Sequence, residues 1–176
     1  MPRPIEYDRD QVLQKAMELF WINGYAQTSV RDVLETTKFN RHSLYEEFGG
    51  KDGLYKEVLN YYKDNVACEL IDTFLKKDSD IETIKQLFKL KAESSGAQST
   101  CLYANTAQSK HVIDDELYKI AKNYNQKVEK ALESCIKQAQ TKHQIPSNKD
   151  SRVLSRYLFT VLHGLGVMSK MGISKK

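Results

Sequence analysis

A short run of hydrogen-bond donors, Arg41-His42-Ser43, has the clearest chemical potential in the chain. An arginine can donate two hydrogen bonds to N7 and O6 of one guanine, and such a bidentate contact discriminates between bases by about 1 to 3 kcal/mol. The imidazole can donate to the same atoms or to a phosphate, and the serine is short enough to let a helix approach the bases closely. The run is therefore suited to reading base edges in a DNA groove. The alternative is that the three side chains are solvated and contact nothing.

Two short helices joined by a tight turn are predicted to hold this run in place. Thr28 or Ser29 can cap the first helix with a side-chain oxygen, and the apolar residues that follow fall on one helical face: Val30, Val33 and Leu34. Asn40 can cap the second helix. Phe39 and Leu44 occupy the N′ and N4 positions of a hydrophobic staple, which fixes the angle at which the chain enters that helix.

The second helix is predicted to have one buried and one exposed side. Phe39, Leu44 and Phe48 should point inward. Five side chains should point mostly away from the core: Arg41, His42, Ser43, Tyr45 and Glu46. This is the layout of a helix-turn-helix, whose second helix presents its first residues to the major groove.

Apolar residues recur at helical spacing through the rest of the chain, which predicts an all-α fold. Asp8 should cap a first helix that Asn23-Gly24 ends, with Phe20-Trp21 as the core beneath the helix-turn-helix. The further predicted helices are 51–74, 80–93, 101–112, 114–143 and 150 to about 168 or 171.

The composition favours a folded, water-soluble protein and excludes several classes. The chain has 176 residues, of which 40% are hydrophobic and 28% charged, so a real core can form. No apolar run approaches the roughly 18 residues of a membrane span, and the first residues have no apolar signal segment, so we expect a cytoplasmic protein. The three cysteines, Cys68, Cys101 and Cys135, form no CxxC pair and should be reduced thiols. We found no nucleotide-binding, hydrolase or metal-ligand motif, and therefore expect no enzyme activity, no metal and no cofactor.

The charge distribution leaves a second interpretation open. The net charge is +4, but residues 1–56 hold eight Lys and Arg against nine Asp and Glu. Bulk charge therefore does not argue for DNA binding by the N-terminal segment, and the placement of a few cations must decide. The alternative function is a helical protein-interaction module whose helix-turn-helix is vestigial.

Several segments resemble the DNA-binding domain of TetR-type (TetR/AcrR) transcriptional regulators. The similar segments are residues 19–25, residues 28–32 and residues 43–51, within a resemblance that covers about 3–55. Residues 101–107 are similar to a segment in the ligand-binding domain of one branch of that family. The resemblance implies a helix-turn-helix domain at residues 1–47 and a helical ligand-binding and dimerisation domain at 48–176. It further implies a homodimer on a double-stranded DNA operator, acting as a repressor that an unknown small-molecule effector releases.

The resemblance also assigns roles near the recognition helix. It implies that Tyr45 gives its hydroxyl to a backbone phosphate and that Lys51 binds a phosphate, assisted by the free amides after Gly50. Family members commonly have glycine where Lys38 stands, and a left-handed lysine costs roughly 1 kcal/mol or somewhat more. Arg3, in a proline-flanked arm, could reach a groove or be solvated. The DNA-binding candidates together are Arg3, Thr28, Ser29, Arg31, Lys38, Asn40, Arg41, His42, Ser43, Tyr45 and Lys51.

The later helices supply candidates for an effector pocket and for a dimer interface. Aromatic or polar groups on otherwise apolar stripes are the pocket candidates: Tyr62, Phe88, Tyr103, Asn105, Tyr124 and His163. Plain core packing is the alternative for each of them taken singly. The last helix has an apolar face broader than one helical domain must bury, which predicts an interface, and Gly164 and Gly166 would allow a close helix approach there.

Overall fold

The computed structural model describes residues 7–68, 71–72, 79–94 and 99–172. Within these ranges the regular structure is helical, without a β-strand, and the predicted all-α fold is confirmed. None of the helices in these ranges combines the length and the apolar character that crossing a membrane requires. The α-helices are α1 (Arg9–Asn23), α2 (Val30–Thr37), α3 (Arg41–Phe48), α4 (Lys51–Tyr62), α5 (Ile81–Glu93), α6 (Leu102–Gln108), α7 (Asp115–Thr141) and α8 (Ser151–Lys170).

Side-chain caps define where the first two helices begin. The Asp8 carboxylate accepts a hydrogen bond from the Gln11 amide at 3.2 Å and starts α1. Ser29, and not Thr28, caps α2: its hydroxyl accepts from the Asp32 amide, and the Asp32 carboxylate accepts from the Ser29 amide in a reciprocal capping box. The Thr28 hydroxyl instead donates to the Gly24 carbonyl at 2.8 Å. Thr28 therefore stabilises the loop before α2, and Ser29 caps the helix.

Helix α3 has the predicted cap and the predicted buried side. The Asn40 side chain accepts from the Ser43 amide at 2.7 Å. Phe39, Leu44 and Phe48 are all buried, so the staple and the inward face are confirmed. Gly49, with a φ of 72°, ends the helix in the left-handed conformation that glycine adopts most easily.

The turn between α2 and α3 places Lys38 in the left-handed region, with φ 60° and ψ 21°. We therefore expect Lys38→Gly to raise the free energy of unfolding by about 0.5 to 1 kcal/mol, because glycine has no Cβ to crowd this conformation. Lys38→Ala is the matched control, since it removes the same charge but keeps a Cβ. Urea denaturation of the three proteins would measure the difference. An equal gain from alanine and glycine would show that charge, and not backbone strain, limits stability at this turn.

The long helix predicted from residue 51 to residue 74 is interrupted. Helix α4 passes at Tyr62 into a π-helical turn, Lys63–Ala67, while residues 69–70 and 73–78 lie outside the described part of the chain. A π-turn adds a residue, so the inward position after Tyr62 moves from Val66 to Ala67. Val66 is 40% exposed and Ala67 only 4%. The Tyr124 hydroxyl donates to the Ala67 carbonyl at 3.0 Å, which binds the turn to α7.

The remaining helices pack around α7. Helix α7 packs against α6, α8 and α5 along a buried stripe that the sequence periodicity had predicted: Leu117, Ala121, Tyr124, Val128, Ala131, Leu132, Cys135, Ile136 and Ala139. Asp80 caps α5 and also accepts from Lys142 and Gln144 near the end of α7. One continuous apolar core runs from α1 through α4 into α7. Helix α4 packs mainly against α1 and α3 and also contacts α6.

Candidate nucleic-acid interface and internal cavity

The exposed side of α3 carries the residues that the sequence singled out. Arg41 and His42 are exposed and Ser43 is half-buried, while the opposite side of the helix is in the core. Arg41 makes no ion pair or hydrogen bond with any described residue through its side chain. The His42 ring lies 3.5 Å from the Glu46 carboxylate one turn later, in a pair that is largely exposed. The first turn of α3 thus presents donors to solvent on a rigid support.

The acidic residues near α3 are largely engaged within the protein. Arg9 of α1 pairs with Glu47 at 3.3 Å and with Glu57 at 2.7 Å. The Asp32 carboxylate is held in the capping box of α2, and these hydrogen bonds lower its pKa. Two of the acidic side chains of residues 1–56, Asp32 and Glu47, are therefore engaged in a cap and in an ion pair.

The side chain of Lys51 ties α4 to the loop between α1 and α2. Its ammonium donates to the carbonyls of Tyr25 and Thr28 at 3.1 and 2.9 Å and lies 4.0 Å from the centre of the Tyr25 ring. Burial lowers the pKa of Lys51. Two of its three donors are therefore already used, and a phosphate contact by this residue stays a prediction that only the third donor could satisfy. The Tyr45 ring, about half exposed, lies over Gly50 at the start of α4, so its hydroxyl remains at the surface.

The other predicted DNA contacts differ in accessibility. Thr28 is buried with its hydroxyl bonded to a carbonyl, so its side chain cannot reach a phosphate in this arrangement. Arg31 is exposed and pairs with Glu35 at 2.7 Å, a surface pair that a phosphate can replace at little cost. Ser29, Lys38 and Asn40 are exposed around the turn. Arg3 lies outside the described residues.

An aromatic layer between α1 and α4 contains Phe20, which the sequence predicted as core, together with Tyr25 and Tyr55, which it had not indicated. Tyr25 donates a hydrogen bond to the Asp52 carboxylate, and its ring lies 4.8 Å from that of Tyr55. The Tyr55 ring in turn packs edge-on to Phe20 at 4.7 Å. Behind α3, its last residue also lies against Gly53 of α4: a Cβ on Gly53 would lie 1.7 Å from the Phe48 carbonyl oxygen. Only a glycine at this position lets the end of α3 approach α4 so closely.

A second feature is a cavity of about 160 Å³, partly open to solvent and lined by parts of α1 and of α4 through α8. Four of the six predicted pocket residues line it, namely Tyr62, Asn105, Tyr124 and His163. Whether they bind a ligand stays a prediction. Within the described ranges no group of His, Cys, Asp and Glu side chains is arranged to hold a metal ion.

The other two pocket candidates, Tyr103 and Phe88, do not line the cavity. Tyr103 is fully buried between α4 and α7, where its hydroxyl donates to the Leu59 carbonyl at 2.7 Å. Two residues along a helix correspond to about 200° of rotation, so Tyr103 faces away from Asn105. The residues of α5 that line the cavity are Leu87 and Lys91.

Trp21 of α1 also lines the cavity, which the sequence had not indicated. It is buried as predicted, but its indole N–H donates to the Thr100 carbonyl at 2.9 Å and its ring packs edge-on to Tyr62. The helix that supports α3 is therefore itself part of the cavity wall. No periodicity in the sequence could have revealed this contact, because it joins residues 79 positions apart.

The polar groups around the cavity are incompletely satisfied. The Nδ1 atom of His163 lies 2.8 Å from the Phe159 carbonyl oxygen. Burial lowers the pKa of His163, which favours the neutral ring. His163 Nε2 and Asn125 Oδ1 are buried atoms without a hydrogen-bond partner in the described part of the chain. Lys91 contributes an ammonium whose pKa burial lowers.

Comparison with known proteins agrees with this architecture. Residues 12–58 match the family described as "Bacterial regulatory proteins, tetR family". Across 98% of its length the chain is 28% identical to the HTH-type transcriptional repressor ComR of Escherichia coli K12, and 26% identical to the repressor BdcR of the same strain; it covers 84% of each. Among solved structures, the TetR family regulator CifR, as a cysteine mutant complexed with 26-base-pair operator DNA, has a TM-score of 0.79 and 25% identity over 97% of this chain and 91% of that one. Reduced E. coli NemR shares the fold with a TM-score of 0.75 at 14% identity, over 94% of this chain and 88% of that one. Residues 12–58 are thus similar to the tetR family of bacterial regulatory proteins, and the chain as a whole is similar to TetR-type regulators in fold.

Proposed function

We propose that this protein binds a double-stranded DNA operator in the cytoplasm and represses transcription. The observation that carries the proposal is the two-sided α3, with Leu44 and Phe48 in the core and Arg41 and His42 exposed at the first turn. A helix of this kind can enter the major groove with its N-terminal residues against base edges. The proposal is further supported by relatives named as repressors and by a structural neighbour solved on operator DNA.

The acidic balance of residues 1–56, which suggested a vestigial helix-turn-helix, has a structural explanation. Within that range Glu47 pairs with Arg9, so the guanidinium offsets its negative charge. The Asp52 carboxylate accepts a hydrogen bond from Tyr25 of the α1–α2 loop. The cations Arg41 and Lys38, in contrast, are exposed beside the turn. The geometry thus favours a DNA-binding unit over the alternative of a protein-interaction module.

Selection of bound fragments from genomic DNA, followed by mobility shift at several salt concentrations, tests the proposal. We expect saturable, sequence-selective binding. The logarithm of the association constant should fall linearly with the logarithm of the salt concentration, with a slope of about −0.9 for each phosphate contacted. Weak binding that is equal for all fragments would instead support the interaction module. Because the measurement needs no effector, it tests DNA recognition alone.

A homodimer is the second part of the proposal. One face of α8 carries exposed residues at helical spacing, and we call it the α8 stripe: Val153, Tyr157, Gly164, Met168 and Met171. A row of exposed apolar side chains along one helix is typical of an interface, and two-fold dimers are the commonest oligomers. Two copies joined in this way would place two α3 helices on successive major grooves, about one DNA turn apart.

Tyr157→Glu should convert the dimer into a monomer, because two-fold symmetry would bring two unpaired carboxylates into an apolar contact. Size-exclusion chromatography with light scattering would measure the mass. Val112→Glu is the control, since Val112 is also exposed and apolar but lies outside the α8 stripe. If both variants remain dimeric, the interface must lie elsewhere on the surface.

The third part of the proposal is release by a small molecule in the cavity. Two elements could transmit the effect of a bound ligand to the DNA-binding unit. Helix α4 packs against α1 and α3 and also contacts α6, and Trp21 belongs both to α1 and to the cavity wall. A ligand that repositions either one would shift α3 relative to its copy in the dimer. Couplings of this kind typically change affinity by about 5- to 150-fold. On this view residues 1–47 and 48–176 are the DNA-binding unit and the ligand-binding, dimerising unit, with α4 between them.

A further inference from the structure

The polar atoms of the cavity indicate which chemical groups an occupant must carry. A carbonyl oxygen only accepts hydrogen bonds, so the contact of His163 with the Phe159 carbonyl requires the proton on Nδ1. In the neutral ring Nε2 is then an acceptor, and it is buried without a partner among the described residues. A buried acceptor left unpaired costs about 1 to 3 kcal/mol. A donor on a bound molecule would remove that cost.

A second acceptor of the same kind belongs to α7. Asn125 lines the cavity and donates weakly from Nδ2 to the Tyr103 carbonyl at 3.5 Å, which leaves Oδ1 as the free end of the amide. Oδ1 is buried and has no partner in the described part of the chain. The cavity therefore has two acceptors, one on α7 and one on α8, that require a hydroxyl or an N–H.

The cavity also has an unbalanced positive charge. Lys91 lines it, and its side chain passes beside Gly166, where a Cβ would lie 3.3 Å from Lys91 Cε. No carboxylate of the described residues lines the cavity. A half-buried ammonium with no acidic neighbour in such a site favours an anionic ligand, since the anion would restore the charge balance at low dielectric. A carboxylate matches both the charge and the hydrogen-bond donors of the ammonium.

The size and the walls limit the body of the ligand. A volume of about 160 Å³ is close to that of engineered protein cavities of about 150 Å³ that bind benzene. Trp21, Tyr62 and Phe159 supply aromatic faces, and Leu87 and Val128 supply aliphatic ones. The cavity thus suits one aromatic ring with small substituents.

We propose that the effector is a small hydroxylated aromatic carboxylic acid, whose carboxylate binds Lys91 and whose hydroxyl donates to one of the unpartnered acceptors, His163 Nε2 or Asn125 Oδ1. The ring of this ligand lies against Trp21 and so contacts the helix that supports α3. The inference rests on the proposed function in treating the cavity as the effector site, and it adds the chemical class of the effector.

Equilibrium dialysis of the DNA-free full chain tests the ligand class directly. The probes are the three hydroxybenzoate isomers, their neutral amides, and benzoate, which lacks the hydroxyl. We expect at least one hydroxybenzoate to bind about tenfold or more tightly than its amide and than benzoate, since each of these lacks one of the two polar contacts. Lys91→Met should abolish the preference for acid over amide while keeping an apolar stem beside Gly166. Lys89→Met, an exposed position on the same helix, should leave the preference unchanged.

Two results would overturn the inference. One is equal binding of acids and amides by the unaltered protein, a comparison that needs no variant to fold. The other is the absence of binding by every hydroxybenzoate at millimolar concentration to protein that still melts cooperatively. DNA binding is measured separately by mobility shift, so its failure would contradict the proposed function without affecting the dialysis result. Binding of an acid without release of DNA would support the ligand class and contradict its role as the effector.

Discussion

Arg41→Ala should reduce affinity for the selected operator by about 10- to 100-fold while changing affinity for unrelated DNA much less. The expectation follows from the position of Arg41, which is exposed at the first turn of α3 and makes no polar side-chain contact within the described part of the protein. A bidentate contact with guanine is worth about 1 to 3 kcal/mol of discrimination. Because the side chain has no role in the fold, its removal should not alter the free energy of unfolding. Fluorescence anisotropy with operator and scrambled duplexes at one salt concentration would measure both affinities.

Tyr45→Phe is the matched comparison for a contact that carries no sequence information. It removes only the hydroxyl, which lies at the surface, and keeps the ring over Gly50. Loss of a phosphate contact should weaken binding to operator and scrambled DNA alike. Equal losses on both duplexes for Arg41→Ala as well would show that Arg41 contacts the backbone and that base recognition resides in other residues.

Gly53→Ala should lower the free energy of unfolding by about 3 kcal/mol or more and should also abolish operator binding. A Cβ at this position would lie 1.7 Å from the Phe48 carbonyl oxygen, so the end of α3 and the start of α4 must separate. Overpacking of this kind typically costs about 1 to 3 kcal/mol, and the neighbour here is backbone, which cannot rotate away as a side chain can. The separation would tilt α3 away from α4. Urea denaturation and mobility shift would measure the two effects.

Gly164→Ala is the control for this substitution. A Cβ on Gly164 would meet no atom within 4 Å in the single chain. An exposed helical glycine replaced by alanine should gain up to about 1 kcal/mol from helix propensity. Both variants should be measured in the Tyr157→Glu background, so that a contact of Gly164 across the dimer does not enter. A similar stability for the two variants would mean that the contact between α3 and α4 relaxes easily.

The interruption of α4 bears on how a signal could travel. The π-helical turn Lys63–Ala67 follows the part of α4 that packs on α1, and its last residue, Ala67, accepts a hydrogen bond from Tyr124 of α7. Tyr62, just before the turn, and Ala67, at its end, both line the cavity. Such turns are frequent at functional sites because their hydrogen bonding is less favourable than that of an α-helix. The cavity is thus bordered by the π-helical turn that follows α4.

Interactions between residues close in the sequence were enough to define the local structure of the DNA-binding unit. Capping of α1 by Asp8 and of α3 by Asn40, and burial of Phe39 and Leu44 on one side of α3, followed from interactions among residues within a few positions of one another. Helical periodicity likewise placed α5, α7 and α8 close to their observed bounds. These features could be predicted because their energetics are set mainly by residues nearby in the chain.

Contacts between side chains that are distant in the chain emerged only from the folded molecule. The sequence could not show that Lys51 binds the carbonyls of the α1–α2 loop, that Trp21 forms part of the cavity wall, or that Gly53 permits contact with Phe48. It also placed Phe88 and Tyr103 among the cavity candidates and missed Lys91 and Asn125, which line it. An apolar stripe indicates that one face of a helix is buried, but not which helix it packs against. The packing partner depends on the angles and offsets at which whole helices pack. A helix rotation of about 100° per residue then separates a cavity-lining side chain from a core one.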